Sequence, residues 1–204
     1  MVVYLPPCAL DDRRRRYPTI YLLHGGGTDE SQWPAIALAG MADRLITQHD
    51  IAPVIVVMPS SGLDPADSSV PDQVVPWADA NLPTLAAKAD RAIGGISLGG
   101  AAAFRTVARH PTLFSRLGGH SPTFPAGGNI LSQVASWRGA VWLDVGEADG
   151  LRRSTEAMAA TLQTDGGAAE LHVWPGGHDR AYWGAHVVDY LQFYAAGWRS
   201  LPGT

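Results

Sequence analysis

Seven short apolar runs recur along the chain, and segments with helical patterns separate them. Most runs are apolar at consecutive positions, which is typical of strands that are buried on both faces of a parallel sheet. Alternating strand and helix patterns favour an α/β fold, because each helix packs across the sheet between successive parallel strands. The predicted strands cover residues 2–5, 19–24, 53–58, 91–96, 116–120, 140–145 and 169–174.

Helical patterns fill most of the intervals between these runs. Pro76 and Pro83 weaken one pattern, because proline kinks or ends a helix. The intervals are too short for an inserted domain, so we expect residues 1–204 to form one domain without a cap over its site. The predicted helices cover residues 34–49, 72–88, 98–110, 151–164 and 181–197, with a weaker pattern near 129–136.

Charge and cysteine content exclude several classes of function. A formal net charge of -4 offers no basic field for nucleic acid or for an anionic membrane surface. The only cysteine, Cys8, leaves no pair for an intramolecular disulfide or a zinc motif. The start of the chain lacks the basic and apolar regions of a signal peptide, and no apolar run is long enough to span a membrane. We therefore expect a cytoplasmic protein that needs no metal or organic cofactor.

A serine lies between glycines in "GGISLGG", directly after a strand pattern and directly before a helix pattern. The G-x-S-x-G match runs from Gly95 through Ser97 to Gly99. A sharp strand-to-helix turn of this kind presents the serine oxygen at a helix N-terminus, where backbone amides favour a developing negative charge. Because the pattern is short and the chain has 23 glycines, its meaning depends on finding an acid and a histidine further along.

Acid candidates follow the sixth predicted strand. Asp149 in "LDVGEADGL" emerges at the carboxyl edge of the sheet, where catalytic groups of open α/β sheets collect. Glu147 is a rival two residues earlier, and Asp144 lies too deep in its strand to reach a serine. The order of serine and then acid fits the order known for this architecture.

His178 follows the last predicted strand within the glycine-rich turn "PGGHDR", a position from which an imidazole ring can reach back to Ser97. His120, in "GGHSP" after the fifth strand, is its competitor. The motif "HGGG" follows the second strand, and its glycines allow a backbone N–H to approach a substrate carbonyl oxygen. The amides of Gly26 and Leu98 are the predicted pair of oxyanion donors.

Together the motifs "VYLPP", "YLLHGGG", "GGISLGG" and "PGGHDRAYW" resemble the putative-esterase family of α/β-hydrolases, which includes feruloyl esterases, esterase D-like enzymes and the antigen 85 acyltransferases. The resemblance spans nearly the whole chain. It implies an α/β-hydrolase fold, a three-layer sandwich with a mostly parallel central sheet. It also implies Ser97 as nucleophile, His178 as base and Asp149 as orienting acid, with the amides of Gly26 and Leu98 as the oxyanion hole.

The expected function is hydrolysis of short-chain or aromatic acyl esters through an acyl-enzyme. Trp183, Trp33 and His120 are expected to line the substrate pocket. Two alternatives stay open, an acyltransferase of the antigen 85 type and a catalytically silent hydrolase-fold binding protein. Family members usually have a further strand before "VYLPP", so this chain is expected to lack the first strand and to expose residues 2–5 as a sheet edge, where a homodimer could form.

Overall fold

A mostly parallel sheet of seven strands forms the centre of the structure, a computed structural model, with the strand order β1-β3-β2-β4-β5-β6-β7. All seven predicted strands are confirmed. They are β1 (Val2–Tyr4), β2 (Thr19–Leu23), β3 (Ile55–Met58), β4 (Arg91–Ile96), β5 (Arg116–His120), β6 (Ala140–Gly146) and β7 (Ala168–Trp174). The structure describes residues 1–7, 9, 14–60, 63–64, 67–124, 133–134, 136–164 and 168–198. Cys8 and most of the weak helical pattern near 129–136 lie outside these residues.

The described residues contain seven α-helices, five between strands and two after β7. They are α1 (Gln32–Ala35), α2 (Leu38–Thr47), α3 (Val75–Asn81), α4 (Leu98–Arg109), α5 (Arg152–Thr164), α6 (Arg180–Ala185) and α7 (Val187–Ala195). A π-helical turn, Val70–Val74, leads into α3.

Three predicted helices are interrupted. The segment 34–49 divides where Ala37 takes a left-handed conformation with φ 64°. The segment 181–197 divides at His186, which leaves the helical region at φ -109° and ψ 7°. In the segment 72–88, α3 ends at Asn81, and Leu82 is extended, as expected for a residue that precedes a proline.

β1 forms one edge of the sheet among the described residues and pairs with β3 in antiparallel fashion, Val3 opposite Val57. The other pairings are parallel. Edge strands present unpaired backbone groups to other chains. The homodimer along this edge stays a prediction, as does the single domain over residues 1–204.

Helices cover both faces of the sheet, and this burial explains the continuous apolar runs. In β2, Ile20 and Leu22 pack with residues of α2, α6 and α7, whereas Tyr21 and Leu23 pack with residues of α3, α4 and α5. These four side chains are at most 1% exposed. Because a fully buried large apolar side chain contributes roughly 1.5–3 kcal/mol, both faces of each central strand add to stability.

Parallel pairing brings the carboxyl ends of the central strands to one edge. Leu23 pairs with Gly95 at the ends of β2 and β4, and Ile96 pairs with His120 between β4 and β5. Gly146 pairs with Trp174 at the ends of β6 and β7. The loops that carry the predicted site residues therefore leave the sheet at the same edge.

Candidate active site

Ser97 occupies the turn between β4 and α4 with φ 54° and ψ -115°, a backbone conformation that residues other than glycine rarely adopt. Such strain costs about 1–3 kcal/mol and persists only where the surroundings fix the backbone. Here the Ser97 amide donates to the carbonyl of His120 at 2.9 Å. The Ser97 carbonyl accepts from the amides of Thr123 at 3.1 Å and Ala101 at 3.2 Å.

Close backbone contacts explain the two outer glycines of the G-x-S-x-G match. A Cβ at Gly95 would lie 2.5 Å from the carbonyl oxygen of Gly99. A Cβ at Gly99 would lie 2.5 Å from the carbonyl oxygen of Leu23 and would also overlap that of His24. The glycines therefore let α4 begin directly against the end of β2, which brings the HGGG turn beside Ser97.

Ser97, His178 and Asp149 form one chain of hydrogen bonds. The Nε2 atom of His178 lies 3.0 Å from the Ser97 Oγ, and its Nδ1 atom lies 2.8 Å from Asp149 Oδ2. The Asp149 side chain is 1% exposed and that of His178 is 36% exposed. When the Nδ1–H donates to Asp149, Nε2 is free to accept the serine proton. The other carboxylate oxygen of Asp149 accepts from the Leu151 amide at 2.8 Å.

The rival acid lies in the same loop but makes different contacts. Glu147 is exposed, and no hydrogen bond among the described residues joins its carboxylate to a histidine. Its amide donates to the carbonyl of Trp174 at 2.8 Å, and the Ala148 amide donates to that of Gly176 at 2.9 Å. These bonds tie the acid loop to the histidine loop, so the geometry distinguishes Asp149 from Glu147.

The HGGG turn is held in place by side-chain contacts. Gln32 Oε1 accepts from the Gly25 amide at 2.6 Å and from the Thr28 hydroxyl at 3.1 Å. A Cβ at Gly26 would lie 2.5 Å from Leu98 Cδ1, so this turn and the first residue of α4 are direct neighbours. The Leu98 amide lies in the first turn of α4, where backbone N–H groups lack helical partners. This proximity fits the predicted oxyanion pair, whose role stays a prediction.

Of the three predicted pocket residues, Trp183 lies beside the site. Its ring meets the ring of His178 edge-on, with centroids 5.1 Å apart. It also lines a cleft of about 310 Å³ between the segment 28–36 and α6. The other residues that line this cleft are Thr28, Asp29, Ser31, Gln32, Ile36 and Arg180. The side-chain and backbone hydrogen bonds from Ser31 lower the pKa of Asp29, so this wall carries a carboxylate at neutral pH.

Trp33 and His120 are both 0% exposed, so the expectation that they line the pocket is wrong. The Trp33 indole donates to the Leu23 carbonyl at 3.1 Å, and the His120 Nδ1–H donates to Asp144 Oδ1 at 2.6 Å. Asp144 is itself 0% exposed, which agrees with the expectation that it lies deep in its strand. These residues belong to the interior beneath the site.

Thr123 was not among the predicted site residues, although its hydroxyl lies 3.2 Å from the Ser97 Oγ. Its only sequence signal is its position just after β5, which it shares with Ser121 and Pro122. Gln32 was also missed, because its bond to the HGGG turn depends on how α1 packs.

Other features of the described residues carry no site of this kind. A larger cavity of about 490 Å³ opens at the starts of β5 and β6, and none of the site residues lines it. No cluster of three or more metal-ligating side chains occurs in the described part of the chain. Within the same residues, no helix has the length and apolar character needed to cross a membrane.

Structural comparison defines the fold. A solved ferulic acid esterase superposes with a TM-score of 0.84 at 20% identity, over 95% of this chain and 90% of that one. The expected α/β-hydrolase fold with a mostly parallel central sheet is confirmed.

Sequence comparison defines the family. The family model described as "Putative esterase" matches residues 66–194, and the chain belongs to this family. An endo-1,4-beta-xylanase/feruloyl esterase of Xylanibacter ruminicola is 29% identical over 201 residues, 84% of this chain and 27% of that protein. Esterase Rv1288 of Mycobacterium tuberculosis is 34% identical over 128 residues, 54% of this chain and 27% of that protein. The chain spans about a quarter of the length of these relatives.

Proposed function

We propose that this protein is a serine carboxylic ester hydrolase that acts on short-chain or aromatic acyl esters. The observation that carries the proposal is the continuous hydrogen-bond chain from Asp149 through His178 to Ser97. Membership of the esterase family supports the same chemistry. The left-handed turn at Ser97 supports the role of nucleophile, since strain of this kind collects at functional sites.

In the acylation step, Ser97 Oγ attacks the ester carbonyl carbon while His178 Nε2 takes the hydroxyl proton. The carbonyl π electrons move onto oxygen and give a tetrahedral oxyanion. When the carbonyl re-forms, the bond to the alcohol oxygen breaks, and His178 gives its proton to that oxygen. The alcohol leaves, and the acyl group remains on Ser97 as an ester.

In the deacylation step, water takes the place of the alcohol. His178 Nε2 removes a proton from the water as its oxygen attacks the acyl carbon. The bond to Ser97 Oγ then breaks, and His178 returns the proton to that oxygen. Asp149 holds the imidazole in the required tautomer through both steps, because its carboxylate accepts the Nδ1–H.

The oxyanion is proposed to receive hydrogen bonds from the amides of Gly26 and Leu98. The closeness of Gly26 to the Leu98 side chain and the position of Leu98 at the start of α4 support this assignment. Loss of one such donor typically lowers turnover about a hundredfold to a thousandfold. The Thr123 hydroxyl lies 3.2 Å from the Ser97 Oγ, where it is available to orient that oxygen before attack.

The cleft beside Trp183 is proposed to hold one side of the ester. Its wall combines an apolar ring with polar and charged groups, among them Gln32, Asp29 and Arg180. The relatives include a protein named as a feruloyl esterase, which supports an aromatic acyl group. A cleft of about 310 Å³ suits a small ester better than a long acyl chain.

Hydrolysis of 4-nitrophenyl acetate and butyrate by the wild type and by Ser97→Ala tests the proposal. The wild type is expected to turn over both esters, and Ser97→Ala should lose at least a thousandfold in kcat, because the nucleophile is removed. Ser136→Ala is the control, since Ser136 is exposed and its hydroxyl donates to the Gln133 carbonyl at 2.9 Å. An inactive wild type, or an active Ser97→Ala variant, would overturn the proposal.

A further inference from the structure

A fully buried carboxylate lies beneath the proposed catalytic residues and takes no part in the steps above. Asp144 on β6 is 0% exposed and accepts four hydrogen bonds. Its Oδ1 accepts from His120 Nδ1 at 2.6 Å and from the Trp142 indole at 2.9 Å. Its Oδ2 accepts from the hydroxyls of Tyr182 at 3.0 Å and Tyr190 at 2.9 Å. The donors come from β5, β6, α6 and α7, so one side chain joins four elements.

Burial of an unpartnered carboxyl group is strongly unfavourable, and it becomes tolerable only when each oxygen is hydrogen-bonded. Asp144 meets this condition with two donors on each oxygen. Burial and the Asp144 charge raise the pKa of Tyr182 and of Tyr190, so both hydroxyls keep their protons at any working pH. Tyr182 and Tyr190 therefore remain hydrogen-bond donors to Asp144 in the folded protein.

The cluster is connected to the proposed nucleophile through the main chain of β5 and β6. The carbonyl of His120 accepts from the Ser97 amide at 2.9 Å. The carbonyl of Asp144 accepts from the Ser121 amide at 2.7 Å. The strained turn at Ser97 is therefore bonded directly to His120, and Asp144 holds the residue that follows His120.

The cluster is connected to the proposed base through α6. This helix begins two residues after His178, and Asp179 caps it by accepting from the Tyr182 amide at 2.9 Å. Trp183, the next residue, meets the His178 ring edge-on and donates to the Ser121 hydroxyl at 3.3 Å. Tyr182 and Trp183 thus fix α6 to the sheet at two points just beyond His178.

We infer that Tyr182 is a positioning residue for His178. Its hydrogen bond to Asp144 holds the first turn of α6, and with it the histidine loop, at a fixed distance from Ser97. The inference rests on the proposed function of Ser97 and His178.

The reason that this anchor matters lies in the exposure of the histidine. The His178 side chain is 36% exposed, so packing restrains it less than it restrains a buried side chain. Its position depends on Asp149, on the edge of Trp183 and on the helix that follows. Because a shift of about 1 Å in a catalytic group lowers turnover roughly a hundredfold, a small movement of α6 is enough to lower kcat.

Tyr190 provides a matched control within the same cluster. Its hydroxyl donates to the same oxygen of Asp144, at 2.9 Å against 3.0 Å for Tyr182. The two side chains are 1% and 3% exposed. Tyr190 belongs to α7, which α6 separates from His178, whereas α6 begins two residues after His178. Tyr182→Phe and Tyr190→Phe therefore remove the same group from the same acceptor, and only one of them loosens α6.

The experiment measures kcat, KM and the melting temperature for both variants beside the wild type and Ser97→Ala. We expect both tyrosine variants to lose similar thermal stability. Tyr182→Phe should lower kcat at least tenfold with KM within twofold, and it should slow labelling of Ser97 by an organophosphonate by a similar factor. Tyr190→Phe should change kcat by less than twofold.

Equal kcat in the two variants, or an unchanged kcat in Tyr182→Phe, would overturn the inference and leave the cluster with a purely structural role. If Tyr182→Phe does not fold, Ser121→Ala removes the second anchor of α6, and an unchanged kcat in that variant would overturn the inference instead. An inactive, unlabelled wild type would mark a failure of the proposed function, which keeps the two failures distinct.

Discussion

Replacing Gly99 by alanine should force the start of α4 away from the end of β2. The added Cβ would lie 2.5 Å from the carbonyl oxygen of Leu23 and 2.8 Å from its carbonyl carbon, and both atoms belong to the backbone of a buried strand. Ordinary contacts between heavy atoms lie near 3.5 Å, so about 1 Å of separation is needed. The strand cannot yield easily because β3 and β4 flank it.

Two effects follow from this displacement. Overpacking of a well-packed interior typically destabilises a protein by about 1–3 kcal/mol. Since about 1 kcal/mol corresponds to roughly 2–4 °C for a chain of this size, we expect Gly99→Ala to melt roughly 2–12 °C lower. The same 1 Å moves Ser97 and the Leu98 amide relative to the HGGG turn, so we expect kcat to fall roughly a hundredfold.

Gly40→Ala is the matched control for these measurements. Gly40 lies in α2, and a Cβ there would meet no atom within 4 Å. This substitution should stabilise the protein by about 0.5–1 kcal/mol, because alanine is the better helix former, and it should leave kcat unchanged. Melting curves and 4-nitrophenyl ester kinetics on both variants measure these changes in stability and kcat. A Gly99→Ala protein with wild-type stability and kcat would refute the packing argument.

Two further predictions concern the acid and the buried tyrosines. Asp149→Asn should lower kcat at least a thousandfold, because the amide does not hold the required tautomer of the histidine. Glu147→Gln should leave kcat within threefold in the same ester assay. Equal losses in the two variants would contradict the choice of Asp149 as the acid. Burial raises the pKa of Tyr190 and Tyr194 far above 10, the value that they regain on unfolding. Their contribution to stability is full below pH 10 and falls by about 1.4 kcal/mol per tyrosine for each pH unit above it. Denaturant titrations at pH 9 and 11 should show this loss, and equal stability at the two values would contradict it.

The strands were predictable from sequence because both faces of the sheet are covered by helices, so each run is apolar throughout. The helix interruptions were not predictable from sequence. The left-handed residue between α1 and α2 is Ala37 rather than a glycine, so no residue in the sequence indicates the break. In the segment 72–88, Pro83 marks the region where α3 ends, although the predicted helix extended beyond it.

Chain order and strand ends were sufficient to predict the group that the structure brings together. Ser97, Asp149 and His178 each follow a strand of the parallel sheet, and parallel strands deliver such residues to one edge. The pocket residues could not be predicted in the same way. Whether Trp33 or Trp183 lies beside the site depends on contacts between distant elements.

Covalent labelling is the most direct test of the claim that Ser97 is a catalytic nucleophile. The wild type, Ser97→Ala and Ser136→Ala would be treated with an organophosphonate probe, and the adduct measured by intact mass and located by peptide mapping. We expect one adduct per chain, on Ser97, in the wild type and in Ser136→Ala, and none in Ser97→Ala. An unlabelled wild type, or an adduct on another residue, would contradict it.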